Sequence, residues 1–68
     1  MNEIIFLIEE APEGDYTARA LGESIFTAGD TFEETKKNIK EAVECHFDEG
    51  KKPKLIRLHM VKEEVILA

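Results

Sequence analysis

The chain has 68 residues and a net charge of −6, so its length allows one small domain and its charge argues against binding nucleic acid directly. Its only cysteine, Cys45, excludes an internal disulfide and agrees with a reducing, cytoplasmic setting. The longest apolar run, Ile4–Ile8, is too short to cross a bilayer, so we expect no membrane partner. Oligomerisation is the expected means of stabilising so small a domain.

The first half of the sequence predicts three strands separated by turns. Its apolar segments are rich in side chains that favour strands, and glycine or proline residues divide them. The first segment is apolar on both faces, as in a central strand that is covered on both sides. In chain order the sequence predicts a strand at Asn2–Glu9, a turn at Ala11–Gly14, a strand at Asp15–Leu21, a turn at Gly22–Glu23 and a strand at Ser24–Ala28.

The clearest local signal is a helix that begins after Thr31. Residues 31–34 match a capping box, in which the Thr31 hydroxyl accepts from the amide of Glu34 and the Glu34 side chain reaches back to the amide of Thr31. Gly50 is expected just past the helix, and Pro53 prevents the helix from resuming. At about 100° per residue one side of this helix is apolar. That side carries Phe32, Ile39, Ala42, Val43, His46 and Phe47.

The end of the chain predicts a fourth strand, because the apolar residues Ile56, Leu58 and Met60 alternate with Arg57 and His59. An apolar segment then closes the sequence. The order strand, strand, strand, helix, strand predicts an α+β fold in which residues 1–68 form a single domain. We expect a β-β-β-α-β arrangement, with one helix packed on one face of an antiparallel sheet.

One helix covers only one face of such a sheet, yet the first strand is apolar on both faces. Monomers rarely expose a large contiguous apolar patch, so we expect the second face to meet another copy, as a homo-oligomer, or a partner protein. Alternatively, the C-terminal segment folds back over that face. The residues predicted to form the interface are Ile5, Leu7, Val65, Ile66 and Leu67.

No group of residues predicts a catalytic site, a metal site or a cofactor. His46 is expected to pack in the apolar stripe, and His59 lies in another element with no third ligand. Acidic helical neighbours of Cys45 disfavour its thiolate, so we expect an inert cysteine. Carboxylates near the turns suit solvated turns, although a metal-dependent nuclease uses such groups. These carboxylates are Glu9, Glu10, Glu13, Asp15 and Asp30.

The middle of the chain resembles the HicB-like antitoxin family, which is also catalogued as an uncharacterised small-protein family. The resemblance rests on Gly14–Thr17, on Phe26–Glu34 with its Gly-Asp-Thr sequence, and on Ile39–Val43. Asp15 stands where the family usually has a second glycine. The resemblance implies a strand-strand-strand-helix-strand fold, like a truncated ribonuclease H core or a double-stranded-RNA-binding domain. It also implies a HicA-like partner, a small basic toxin that cleaves messenger RNA.

Three hypotheses follow. The first is a protein-binding module of the antitoxin type, not an enzyme, which corresponds to the N-terminal domain of the family without a DNA-binding domain. Its acidic character suits a basic toxin. The second is a self-assembling structural domain without a toxin partner. The third is a small metal-dependent nuclease that depends on Asp15 or Asp30.

Overall fold

The computed structural model describes residues 2–68, which form a four-stranded sheet with a helix on one face. The strand order is β3-β2-β1-β4, so β1 is central, and β3 and β4 are the edges of the sheet within this range. The predicted α+β class and β-β-β-α-β order are confirmed. The elements are β1 (Glu3–Glu10), β2 (Tyr16–Ala20), β3 (Phe26–Gly29), α1 (Phe32–His46) and β4 (Leu55–Val61).

The sheet is mixed, and the prediction that it is wholly antiparallel was wrong. β2 pairs antiparallel with β1 and β3, but β4 pairs parallel with β1, with Ile4 opposite Ile56. Because β3 also runs parallel to β1, the chain must cross over between β3 and β4. Such a crossover needs a dozen or more residues and is usually a helix, and the 15-residue α1 meets this need.

The core lies between α1 and one face of the sheet. Alternate residues of β1 point to this face, which is why Ile4, Phe6 and Ile8 are buried. Thr35 of α1 is also fully buried, and its hydroxyl donates to the carbonyl of Thr31 at 2.7 Å. The buried apolar residues are Ile4, Phe6, Ile8, Ala18, Ala20, Ile25, Ile39 and Val43.

The sequence predicts the start of α1 correctly, but it predicts the end of α1 less accurately. The Thr31 hydroxyl accepts from the amide of Glu34 at 3.0 Å, as predicted, whereas Glu34 accepts from the amide of Asp30 at 3.4 Å instead of that of Thr31. The helix ends at His46 because Phe47 turns to an extended backbone and packs its side chain against the core. Gly50 lies in the following turn, with φ +92°. In residues 2–68 no helix has the length and apolarity that crossing a membrane requires.

Residues 62–68, which we call the tail, contain no helix or strand. Val65, Ile66 and Leu67 are 84%, 80% and 98% exposed. The long axis of the molecule is 50 Å, whereas the seven residues of β4 span about 23 Å, so the tail projects beyond the sheet. The tail does not fold back over the second sheet face, and that alternative is wrong.

Candidate protein-binding surface

The sheet face that points away from α1 is covered by no other element of residues 2–68, and we call it the open face. Ile5 and Leu7 of β1 lie at its centre and are half-buried, because side chains of the neighbouring strands flank them. Leu7 is opposite Arg19 of β2 and His59 of β4. β1 is therefore central, as predicted, but it is covered on one face only.

Apolar side chains also lie on the edge strands of the open face. Phe26 of β3 is 67% exposed and pairs with Arg19, which puts both residues on this face. Val61 of β4 pairs with Glu9 and is also exposed. Monomers rarely leave apolar residues of several strands of a sheet on one uncovered face, and such a face is a common site for protein binding.

One ion pair crosses the open face between β1 and β4. Arg57 donates from Nη2 and Nε to Glu3 Oε2, at 2.9 and 3.1 Å. These hydrogen bonds to Arg57 hold the pKa of Glu3 below its ordinary value, and the same contact raises the pKa of Arg57. Glu3 therefore compensates the charge of Arg57, while Arg19 forms no ion pair within residues 2–68.

Acidic residues cluster at the end of the sheet where β1 turns into β2, and we call this region the acidic end. The turn is closed by two backbone hydrogen bonds, from Ala11 to the carbonyl of Asp15 at 2.8 Å and from Gly14 to that of Ala11 at 2.9 Å. Glu63 and Val65 of the tail border a groove of about 460 Å³ beside this turn. The exposed carboxylates of the acidic end are Glu9, Glu10, Glu13 and Asp15.

The structure places the five predicted interface residues in two separate regions. Ile5 and Leu7 lie on the open face, and Val65, Ile66 and Leu67 lie on the projecting tail. Phe26 was not predicted to be part of this surface. Phe26 and Thr27 are consecutive residues of β3, so their side chains point to opposite faces of the sheet. The face on which Phe26 lies is set by its pairing with Arg19 of β2. The sequence of β3 alone does not predict this pairing.

The remaining candidate residues do not form a reaction centre. His46 is exposed, instead of packed in the apolar stripe as predicted, and its Nε2 lies 3.1 Å from Glu23 Oε1. Cys45 is exposed on the outer side of α1. The pairing of Tyr16 with Gly29 brings the adjoining Asp15 and Asp30 to one end of the sheet. Across residues 2–68 no three His, Cys, Asp or Glu side chains group as metal ligands would.

The fold and this surface define a class of protein: a small α+β domain with one helix-covered sheet face and one open face. Two relatives then place the chain. It is 62% identical over 52 residues to a UPF0150 protein of Archaeoglobus fulgidus, covering 76% of this chain and 77% of the relative. It is 47% identical over 64 residues to a UPF0150 protein of Thermotoga maritima, covering 94% and 90%. The chain belongs to the UPF0150 family. No family model and no solved structure matches it.

Proposed function

We propose that this protein is a binding module of the HicB antitoxin type, whose open face holds a small basic toxin that cleaves messenger RNA. The observation that carries the proposal is the uncovered apolar surface of the open face. Phe26 is 67% exposed on the edge strand β3, the half-buried Ile5 and Leu7 lie on the central strand, and Arg19 of β2 lies between Phe26 and Leu7. A partner that covers the open face would bury Phe26, and buried aromatic side chains often contribute much of the binding free energy of an interface.

The charge distribution supports a basic partner. The chain carries a net charge of −6, and the acidic end lies directly beside the open face, since Glu9 and Thr17 pair on that face. Complementary charge of this kind raises the association rate, and the increase diminishes with salt. A basic protein seated on the open face therefore meets apolar contacts at the centre and carboxylates at one border.

The resemblance to HicB-like antitoxins supplies the chemical class of the partner. Its most specific segment, Phe26–Glu34, forms β3 and the entry to α1. Gly29, Thr31 and Glu34 within it have structural roles, since they pack against or cap α1. Phe26 alone of these residues presents a large apolar side chain to solvent, so it is the member of the segment best placed to contact a partner.

The test is co-expression of this chain with any small basic protein that is encoded beside its gene. We expect the neighbour alone to arrest growth and degrade messenger RNA, and the pair to grow normally and to purify as a complex. Phe26→Lys should abolish the rescue, because it removes apolar contact and adds like charge. The matched control is Cys45→Lys, which makes the same change of charge at an exposed position on the outer side of α1.

Two results would contradict the proposal. One is a neighbouring product that has no effect on growth and does not bind this chain. The other is rescue that survives Phe26→Lys together with Leu7→Lys in a chain shown by circular dichroism to be folded. The second result would move any binding site away from the open face.

A self-assembling domain without a toxin is the second candidate, and the projecting tail is the observation that favours it. Val65, Ile66 and Leu67 are almost fully exposed in the single chain. Sedimentation of the purified chain tests self-assembly, and the rescue experiment tests for a toxin partner, so a self-assembling chain that binds no neighbouring product would favour this second candidate.

A further inference from the structure

A groove runs between α1 and the edge strand β4, because α1 packs over β2 and β3 and leaves the inner side of β4 partly uncovered. This β4 groove has a volume of about 300 Å³. Its floor is apolar, formed by the buried Ile39 and the half-buried Ile56 and Leu58. Its rim is basic and carries Lys36, Lys40 and Lys54.

The charges that face the β4 groove leave it net positive. Lys36 pairs with Glu33 at 2.9 Å, and Lys52, at the adjoining end, pairs with Glu44 at 3.2 Å. Lys40 and Lys54 form no ion pair in the described part of the chain. An occupant with acidic residues next to apolar ones fits both the rim and the floor.

β4 also offers backbone hydrogen bonds along the border of this groove. It pairs with β1 on one side, and its other edge is unpaired within residues 2–68. An unpaired edge readily accepts an extended segment as an added strand. Alternate side chains of that segment would then point into the β4 groove.

The tail has the sequence that this groove requires. Glu63 and Glu64 precede Val65, Ile66 and Leu67, which are nearly fully exposed. In an extended tail Glu63, Val65 and Leu67 share one face. The tail of the same chain is poorly placed, because a tight turn at residues 62–63 would bring only Leu67 beside Leu58 and leave Ile56 uncovered. A second copy has no such restriction.

We propose that the tail of one copy binds along the outer edge of β4 of a second copy. Val65 and Leu67 lie in the β4 groove, and Glu63 lies against Lys40 and Lys54. The exchange is reciprocal, so two copies related by a two-fold axis each donate one tail and each accept one. The open face remains uncovered in this dimer, so the proposal does not depend on the proposed function.

Sedimentation of the purified chain at high micromolar concentration tests the exchange. We expect the mass of two chains. Deletion of residues 63–68 and the substitution Leu67→Asp should each give a monomer, and both should fold normally because the tail is exposed. The matched control is Phe26→Asp, an exposed apolar residue on the opposite edge strand, which should remain dimeric.

The groove side is tested by charge reversal. The double variant Lys40→Glu and Lys54→Glu should weaken the dimer at least tenfold, whereas Lys37→Glu, on the outer side of α1, should not. A synthetic peptide of residues 62–68 should bind to the chain that lacks residues 63–68, and Lys40→Glu with Lys54→Glu should abolish this binding. Peptide binding to the shortened chain, which keeps Lys40 and Lys54, remains a valid test if the double variant misfolds.

Several outcomes would overturn the exchange. They are a full-length monomer at high micromolar concentration, a dimer that survives removal of the tail, and dissociation by Phe26→Asp with no effect of Leu67→Asp. A shortened chain that binds the peptide while the full-length chain stays monomeric would show that each tail occupies its own groove. None of these results bears on toxin rescue, which is measured separately.

Discussion

Gly29 of β3 and Thr35 of α1 lie in such close contact that a side chain at position 29 has no space. A β-carbon there would lie 2.5 Å from Thr35 Oγ1, 2.7 Å from the Thr35 backbone nitrogen and 2.9 Å from its Cα. Both residues are buried. The absence of a side chain at Gly29 thus allows the helix backbone to approach the edge strand directly.

We expect Gly29→Ala to lower the free energy of unfolding by about 1–3 kcal/mol, the usual range for overpacking. Chemical denaturation measures this loss. Thr35→Ala should not restore stability to the Gly29→Ala chain, because the backbone nitrogen and Cα of Thr35 remain within 3 Å.

Gly14→Ala is the control, because it makes the same Gly-to-Ala change at a position where the added β-carbon does not clash with any atom. A β-carbon at position 14 meets no atom within 4 Å, but φ there is +96°, so the expected loss is about 1 kcal/mol from backbone strain alone. A Gly29→Ala chain as stable as the wild type would contradict the close contact of α1 with β3.

The start of the helix was predictable because its signal is local. Thr31 and Glu34 are three positions apart, and the hydrogen bond between them depends only on the helix that they begin. The close contact of Gly29 with Thr35 was not predictable. The sequence shows a glycine that breaks a strand, and its packing role requires the helix to fold back over β3.

The direction of β4 and the position of His46 were also beyond the sequence. Alternation of apolar and polar residues is the same whichever way a strand runs, so it does not encode the parallel pairing of Ile56 with Ile4. A helical projection places His46 on the apolar side of α1, with Phe47 at the edge of that side. The helix stops at His46, and Phe47 takes the place against the core. In contrast, the sequence shows that β1 is apolar on both faces and that one helix covers only one of them. It correctly indicated an uncovered sheet face.

Removal of the helix cap should destabilise the chain measurably. The Thr31 hydroxyl accepts from the amide of Glu34 at 3.0 Å, and loss of such a cap costs about 1 kcal/mol. We expect Thr31→Ala to lower the free energy of unfolding by this amount. Thr31→Ser should lower it much less, because the serine hydroxyl can still cap the helix. Equal losses for the two variants in urea denaturation would show that the hydroxyl is not the capping group.

The ion pair of Glu3 with Arg57 predicts a specific pH dependence. Arg57 lowers the pKa of Glu3 in the folded chain below its ordinary value of 4.5, so the folded state favours the ionised carboxylate. This contribution to stability is present above pH 4.5 and is lost as the pH falls through the lowered pKa. Arg57 stays charged throughout, since its pKa is raised.

Glu3→Gln should therefore reduce the loss of stability in acid. The measurement is the denaturation midpoint of both chains between neutral pH and pH 3. The effect should be small and should shrink in high salt, because the pair lies at the surface. Arg57→Gln is the matched control, since it removes the same pair from the other side. Parallel pH profiles for the wild type and both variants would exclude a role for the pair.

Asn38 ties α1 to the edge strand β3, and Asn38→Asp isolates this contact. The Asn38 Nδ2 donates to the carbonyl of Ala28 at 2.7 Å, and an ionised carboxylate there has no proton to donate and repels the carbonyl oxygen. Because Asn and Asp have similar helix propensities, we expect a loss of about 1 kcal/mol from the hydrogen bond itself. The loss of stability should become smaller as the pH falls, since a protonated carboxyl can donate again.

The control compares Lys37→Asn with Lys37→Asp, which makes the same amide-to-carboxylate change at an exposed position of α1. The free energy of unfolding is compared between wild type and Asn38→Asp, and between Lys37→Asn and Lys37→Asp. If the two differences are equal at every pH, the side chain of Asn38 does not hold the helix to β3.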